Sequence, residues 1–344
     1  IYITSNIYPH NEKVDQYLDT MREVVAMKPD AVIMADPGLI MMVKDNWPDL
    51  PIHLSVQANT INYASVEFWR RQGISRIILS REICLDEIRT IRQRCPDIEL
   101  EVFVHGALCI SFSGRCLLSG YFSSRDANQG TCANSCRWNY QLYIEESQRP
   151  GKLMPINEDE NGTYILNSKD LCAIEYVQQL IDIGVDSLKI EGRTKSHFYV
   201  ARTTRTYRQA IEDSVLGKSY DPKLRESLEG LANRGYTAGF LPGPDVEETQ
   251  NYESNHSTFG DQRFVGEMKG LENDMIQVDV KNRFEINEKM ILLTPEGEFP
   301  FQLTTLLDRN CQPIDVAPGS GHQVYINKPE DVDPEWALIV ADRR

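Results

Sequence analysis

"LEVFVHGALCISFSGRC", residues 100–116, runs from an apolar stretch into a glycine- and serine-rich run carrying two cysteines seven positions apart. Its first part reads as a strand buried on both faces, because apolar residues follow one another with little alternation. Comparable strands are expected at "IYITSN" (1–6), "AVIMAD" (31–36), "IHLSVQA" (52–58), "RIILS" (76–80) and "SLKIEGR" (187–193). Helix-like patterns lie between them, at 14–27, 64–72, 85–94, 171–183 and 197–216. Strands that alternate with helices predict an α/β fold, a parallel sheet covered by helices. Six such strands fit a (β/α)8 TIM-barrel-like domain over residues 1–235, lacking its first two units. The chain opens in a strand without Met, so it is expected to begin inside a domain.

Past residue 235 the texture changes. "GYTAGFLPGPDVEETQNYESNHS" is rich in Gly, Pro and acids and predicts a linker over 236–258. Short β-rich runs follow, from "RFVGEM" through "MIQVDVKN", "KMILLT" and "FPFQLTTL" to "QVYIN" and "ALIVA". Turn signals separate them, so residues 259–344 read as a small all-β barrel domain.

Composition narrows the classes. The 344 residues are 41% hydrophobic and 25% charged, ordinary for a soluble globular protein. The longest apolar run, around Leu39–Val43, is stopped by Lys44, so no membrane span is expected. Eight cysteines without a secretory signal argue for a reducing, cytoplasmic setting, where clustered thiols bind metal or act in redox chemistry. The glycosylation matches at Asn161 and Asn255 then carry little weight. A net charge of −15 predicts solubility and, by itself, weighs against nucleic-acid binding.

Polar residues stand where the expected strands end: Ser5 and Asn6, Asp36, Gln57, Arg81 and Glu82, His105, then Glu191 and Arg193. In a barrel these positions meet on the C-terminal rim, where active sites are built. Any one of them read singly is equally a loop cap.

Cys109, Cys116, Cys132 and Cys136 form a C-x6-C-x15-C-x3-C pattern directly after the strand that ends near His105. Thiolates are strong, polarizable donors for soft or borderline metals. Gly106, Gly114, Gly120 and Gly130 would let the backbone wrap closely around a bulky group. Structural zinc favours paired C-x2-4-C knuckles, and only the second pair fits. An iron–sulfur cluster tolerates wider spacing, since its ligands need only surround a cube. Spacing leaves a cluster, zinc and unliganded thiols all open. Cys172, in "LNSKDLC", is an alternative ligand expected to open a helix near the rim, or else a buried helix cysteine. Cys84, Cys95 and Cys311 read as packing or surface thiols.

"EVFVHGALCISFSGRCLLSGYFSSRDANQGTCANSCRW" (101–138) resembles the signature of the collagenase-like peptidase family. "NSKDLC" and "SLKIEGR" are similar to two further family blocks. "YESNHS", "FVGE", "VKNRF" and "APGSG" resemble the branch of that family whose members hydroxylate tRNA. The resemblance implies formation of 5-hydroxyuridine at the anticodon wobble position, independent of O₂. It also implies a [4Fe–4S] cluster on Cys109, Cys116, Cys132 and Cys136, with Cys172 as the alternative, and prephenate as a small anionic co-substrate. Sister branches hydroxylate ribosomal RNA or a ubiquinone precursor, and the family name implies proteolysis.

The residues favour hydroxylation over proteolysis. There is no H-E-x-x-H and no G-x-S-x-G. A cysteine protease needs one thiolate beside a histidine; His105 precedes Cys109 by four residues, but four gathered cysteines suit ligation better. "LGKSYD" is no phosphate-binding loop, since Glu212 stands where its first glycine belongs.

A uridine modified at C5 must leave its stack and rest against aromatic or arginine planes. Residues 189–208 carry Lys189, Arg193, Lys195, Arg202, Arg205 and Arg208 against Glu191 alone. Arg202, Arg205 and Arg208 recur every three residues and are expected to lay a phosphate track along one helix face, a solvated face being the plainer alternative. Screening over about 10 Å lets such a patch act within an acidic protein.

An anionic co-substrate would be gripped by Arg81, Arg193 or Lys189, with Gln57 beside them. Lys189, Glu191 and Arg193 are expected to share one strand face, with Glu191, Arg193 and His105 as catalytic candidates. Lys169 and Asp170 would support them, although helix capping by Ser168 or Asp170 is simpler. Tyr121 and Phe122 would shield the cluster from water or pack in the core. No pattern identifies the electron donor.

Overall fold

The computed structural model describes residues 1–109, 111–138, 143–145, 151, 153–155, 169–193, 195–243 and 262–342. The chain forms two compact units, Ile1–Glu191 with Arg234–His256 and Gly192–Asn233 with Ser257–Arg344.

The first unit opens with β1 (Tyr2–Ser5), α1 (Asn11–Val14), α2 (Tyr17–Ala26), β2 (Ala31–Met34), α3 (Pro37–Asn46) and β3 (Ile52–Leu54). It continues through α4 (Tyr63–Arg71), β4 (Arg76–Ile78), α5 (Leu85–Arg94) and β5 (Glu99–Ala107). A long excursion follows, carrying α6 (Leu118–Ser123) and a small ladder of β6 (Tyr143–Glu145) and β7 (Leu153–Pro155). The chain then returns through β8 (Asp170–Cys172), α7 (Val177–Ile183) and β9 (Ser187–Ile190). After α8 (His197–Val215) and α9 (Lys223–Glu229) of the second unit, β10 (Tyr236–Thr237) rejoins the first.

β1 to β5 and then β9 lie side by side, every pairing parallel. β2 is buried along its whole length, as a strand covered by helices on both faces must be. β5 forks at His105: Glu101 to Phe103 and His105 pair with β9, while His105 to Ala107 pair antiparallel with β8. β10 adds on parallel to β8. The helices start where side chains replace missing backbone partners. Asp36 accepts from Leu39 N at 2.9 Å with Pro37 in the first turn, and Asn62 accepts from Ser65 N at 2.9 Å.

Several expected elements shift. The helix expected over 14–27 is two, α1 and α2. The helix expected over 171–183 starts only at Val177, after a 3₁₀ turn at Ile174–Tyr176, because the backbone before it is drawn into the sheet between β5 and β10. Cys172 therefore closes a strand and does not open a helix. Strands expected to reach 36, 58 and 193 stop at Met34, Leu54 and Ile190. Within the stretch expected as a linker, Tyr236 and Thr237 join the sheet. Asn161, Ser168 and Asn255 lie outside the described residues.

The second unit adds β11 (Gln262–Glu272), β12 (Met275–Val280), β13 (Phe284–Glu285), β14 (Lys289–Leu293) and β15 (Glu298–Gln302). β16 (Leu306–Asp308), β17 (Val316–Ala317), β18 (Gln323–Asn327) and β19 (Leu338–Asp342) complete it. Seven of these strands form an antiparallel sheet in the order β15-β14-β19-β11-β12-β18-β16. Its core holds Val265, Ile276, Val278, Phe284, Leu292 and Ile339. α8 packs within this unit, Phe198 stacking on Phe264 with ring centres 5.4 Å apart. No helix among the described residues is long and apolar enough to cross a membrane.

Candidate functional site

Four strand ends of the first unit meet the cysteine-bearing excursion. At the end of β3, Ser55 caps a 3₁₀ turn over Val56–Ala58, and the Gln57 carbonyl accepts a hydrogen bond from the Tyr8 hydroxyl at 2.7 Å. Gly114 presses on the same carbonyl. Its φ is +72°, and a Cβ there would collide with the Gln57 oxygen and lie 2.9 Å from the carbonyl carbon. Only glycine fits.

Beyond β4, the Glu82 carboxylate accepts from Ser113 N at 3.2 Å and from the Ser80 hydroxyl. Beyond β1, the Tyr8 carbonyl accepts from the Gln129 amide. Asn128 donates to the Cys116 carbonyl at 2.9 Å, and Ala133 N donates to Ser119 Oγ at 2.8 Å. These contacts set the thiol segment against the strand ends.

At β5, Gly106 has a φ of +108°, and a Cβ there would lie 2.9 Å from Glu191 Cβ and collide with the Glu191 carbonyl oxygen. Glu191 N donates to the His105 carbonyl at 2.8 Å. The end of β9 is thereby pinned beside the point where the excursion begins.

The four thiols gather in this frame. Cys109 lies within electrostatic reach of Cys116 and Cys132, and Cys136 within reach of Cys109, Cys132 and Cys116. All four are free; Cys109 and Cys132 reach solvent, while Cys116 and Cys136 are half-buried. Although its edge is open, protein crowds Cys109 and pushes its thiol up, with Arg81 and then Arg137 pulling the other way. Burial likewise pushes up Cys136, against Arg137. Cys172 is buried on β8, in register with His105 of β5. Among the described residues, no three His, Cys, Asp or Glu converge as closely as a single metal ion demands.

Arg81 stands beside this set, its guanidinium carbon 3.7 Å from the centre of the Phe103 ring. Burial depresses its pKa, while Cys109, Glu191 and Glu82 favour its charge. Its Nε is buried and makes no hydrogen bond among the described residues, and the same holds for Gln57 Oε1 and Ser113 Oγ. Buried polar atoms left unpaired are uncommon and mark places where a ligand or water belongs.

The other expected site residues are placed differently. Lys189 bonds Glu101 at 2.6 Å, and Arg76 reaches the same buried carboxylate at 3.2 Å. Burial would raise Glu101, but Lys189, Ser187 and Arg76 outweigh it and hold the carboxyl below its ordinary range. Lys189 thus serves an internal ion pair. Glu191 lies just beyond β9, and Arg193 is an exposed residue of the second unit, so the shared strand face expected for the three is not formed. His105 is fully buried, its ring 5.3 Å from that of Tyr236.

Arg202, Arg205 and Arg208 occupy three different settings. Arg202 is 1% exposed and bonds Gln262 and, at 3.1 Å, Glu298. Arg205 donates to the carbonyls of Pro295 and Glu296, and Arg208 is an exposed partner of Glu212. Steps of three residues precess by about 60° around a helix, enough to carry the first arginine inward and the third outward. Tyr121 and Phe122 are exposed and do not pack in the core. The sequence reading missed Glu82, Ser113 and Tyr8 as clamps. Only Glu82 had a signal, as a strand-end acid.

Residues 1–251 match the model of Peptidase family U32, and residues 260–339 match the Peptidase family U32 C-terminal domain. A relative in Haemophilus influenzae named tRNA hydroxylation protein P is 46% identical, covering 98% of this chain and 83% of its own length. The protein of that name in Escherichia coli gives the same figures, 46%, 98% and 83%. A protein of Porphyromonas gingivalis named collagenase is 27% identical over 100% of this chain and 84% of its own.

Proposed function

The chain belongs to peptidase family U32, and on that premise we propose that it hydroxylates tRNA, forming 5-hydroxyuridine at the anticodon wobble position without O₂. The observation that carries the reading is the gathering of Cys109, Cys116, Cys132 and Cys136 at the strand ends beside Arg81, in a chain 46% identical to proteins named for tRNA hydroxylation.

The donor set fits a [4Fe–4S] cluster. It offers four soft thiols, none in a disulfide. Cys109, Cys116, Cys132 and Cys136 would hold it, with Cys172 as the alternative fourth ligand. When bound, the cluster supplies an electron-transferring or Lewis-acid centre. Gly114, Glu82 and Asn128 keep the segment seated, and Arg81 and Arg137 offset the thiolate charge.

We assign the anionic co-substrate, prephenate, to Arg81, whose unpaired Nε and planar cation suit a carboxylate. Gln57 Oε1 and Ser113 Oγ offer further contacts. The Glu191 carboxylate is our candidate for moving the proton at the reacting base, with His105 supporting the sheet behind it. In this reading the parallel sheet is the arc of a (β/α)8 barrel, the second unit is a small β-barrel, and the protein works in the cytoplasm.

Anaerobic purification with iron and sulfide analysis tests the cluster; roughly four of each per chain are expected. Zinc in four-fold coordination with no iron overturns it. Nucleoside analysis of tRNA from a deletion strain tests the activity, and unchanged 5-hydroxyuridine derivatives in the absence of a paralogue overturn that. The collagenase relative favours a second reading, proteolysis. It would gain from gelatin cleavage that survives Cys109→Ser and loss of iron.

A further inference from the structure

We propose that the outer surface of the thiol segment, from Phe112 to Trp138, is a shelf on which the unpaired bases of an RNA loop stack. The inference rests on the tRNA reading above and adds where the RNA is held.

The segment is folded inside out. Ser119 is 2% exposed and Ser135 1%, while Tyr121 is 84% exposed and Leu117 65%. Ser113 is buried as well, and its neighbour Phe112 is exposed, as are Phe122 and Trp138. Single exposed apolar residues are common, but buried hydroxyls beneath a set of exposed aromatics are not.

Local structure places these side chains on one piece of backbone. Arg115 N donates to the Phe112 carbonyl at 3.0 Å, closing a turn. Tyr121 N donates to the Leu117 carbonyl at 3.1 Å, so those two lie one helical turn apart on the same face of α6. The bond from Ala133 N to Ser119 Oγ ties α6 to the stretch that ends at Trp138.

Charge complementarity selects the occupant. In a chain of net charge −15, this surface carries Arg115 and Arg125, both exposed and without an ion pair among the described residues. The one acid from Phe112 to Trp138, Asp126, accepts from Asn128 N at 2.8 Å as a local cap. Aromatic rings interleaved with unpaired arginines hold single-stranded nucleic acid, the rings through base faces and the cations through phosphates. Cys116 lies between Arg115 and Leu117, so a base held here is delivered to the thiols.

The test is equilibrium binding of a fluorescent anticodon stem-loop to the intact, iron-loaded protein, with a fully paired duplex of the same length as competitor. Tyr121→Ala and Phe112→Ala are each expected to weaken stem-loop binding about 5- to 100-fold at unchanged iron per chain. Arg115→Gln with Arg125→Gln should lower the salt slope by about 0.7 per charge removed. Both aromatic sites are exposed, and a matching unfolding midpoint separates lost contacts from lost folding. If the parent binds the stem-loop and the variants bind as tightly, the shelf is overturned and the tRNA reading stands. If the parent binds no RNA, both fall. Variants that bind RNA normally yet lose reduction by an acidic electron-transfer protein would make the surface a protein dock, which also overturns the proposal.

Discussion

Gly114→Ala should separate the thiol segment from the sheet without unfolding the protein. The residue sits at a φ of +72° against the Gln57 carbonyl, with the carbonyl carbon 2.9 Å and the Cα 3.0 Å from where a Cβ would stand. Left-handed backbone costs alanine about 1–2 kcal/mol. Overlap with a backbone group that the Tyr8 hydroxyl already holds adds about 1–3 kcal/mol. If the carbonyl retreats instead, the Tyr8 hydrogen bond is lost, at about 0.5–1.5 kcal/mol. The sum, about 2–5 kcal/mol, is relieved by lifting the segment, since the buried strand β3 has nowhere to go. Each 1.4 kcal/mol is tenfold in the docking equilibrium, so a segment seated by a few kcal/mol spends most of its time lifted. Iron per chain after limiting reconstitution should fall several-fold, with hydrogen exchange rising across 111–138 and little change in the strands. Gly120→Ala is the control: a Cβ there meets nothing within 4 Å. Parent-level iron and exchange in Gly114→Ala would refute the reasoning.

Lys189→Met leaves Glu101 buried with Arg76 as its remaining cation and should cost about 3–5 kcal/mol in chemical unfolding. Because Glu101 is held below its ordinary value, its contribution is present above about pH 4.3 and is lost as pH falls through the lower folded value. The parent should therefore outlast Lys189→Met in acid titrations, and coincident midpoints would count against the pair. Arg202→Met strands Glu298 and Gln262 and should destabilise the second unit by about 2–4 kcal/mol. Its salt slope for tRNA should equal the parent's; a drop of about 0.7 would restore a phosphate role. Arg81→Gln should raise KM for the anionic co-substrate about 10- to 100-fold while leaving tRNA affinity unchanged, with Arg81→Lys only partly recovering. An unaltered KM would remove Arg81 from that subsite.

The parallel strands were legible because burial on both faces writes itself as unbroken apolar runs such as "AVIM". Cys172 was misplaced because Asp170, Leu171 and Cys172 carry no local strand signal; pairing with two neighbours, one of them 66 residues further on, where Tyr236 meets Asp170, decides their conformation. Arg202 was misread because spacing along α8 says nothing about which side meets β11 and β15. The clamps at Glu82, Gly114 and Tyr8 join residues distant in the chain; a strand end marked Glu82, but no pattern within any one stretch records the partner each clamp meets. The thiol segment defeated the rule that aromatics go inside, since its serines are the buried residues, Ser113 against Glu82 at a strand end and Ser119 against Ala133 within the segment.

That inversion bears on how the protein changes over generations. A tyrosine open to solvent for four-fifths of its surface is under no folding constraint, so in an idle surface its codon would wander among polar residues. A buried serine drifts little in any case, because anything larger lifts the segment. Among descendants of a common ancestor, then, positions 117 and 121 report on use alone. Should they keep their large side chains at the pace of the cysteines beside them, selection is acting through what lands on them.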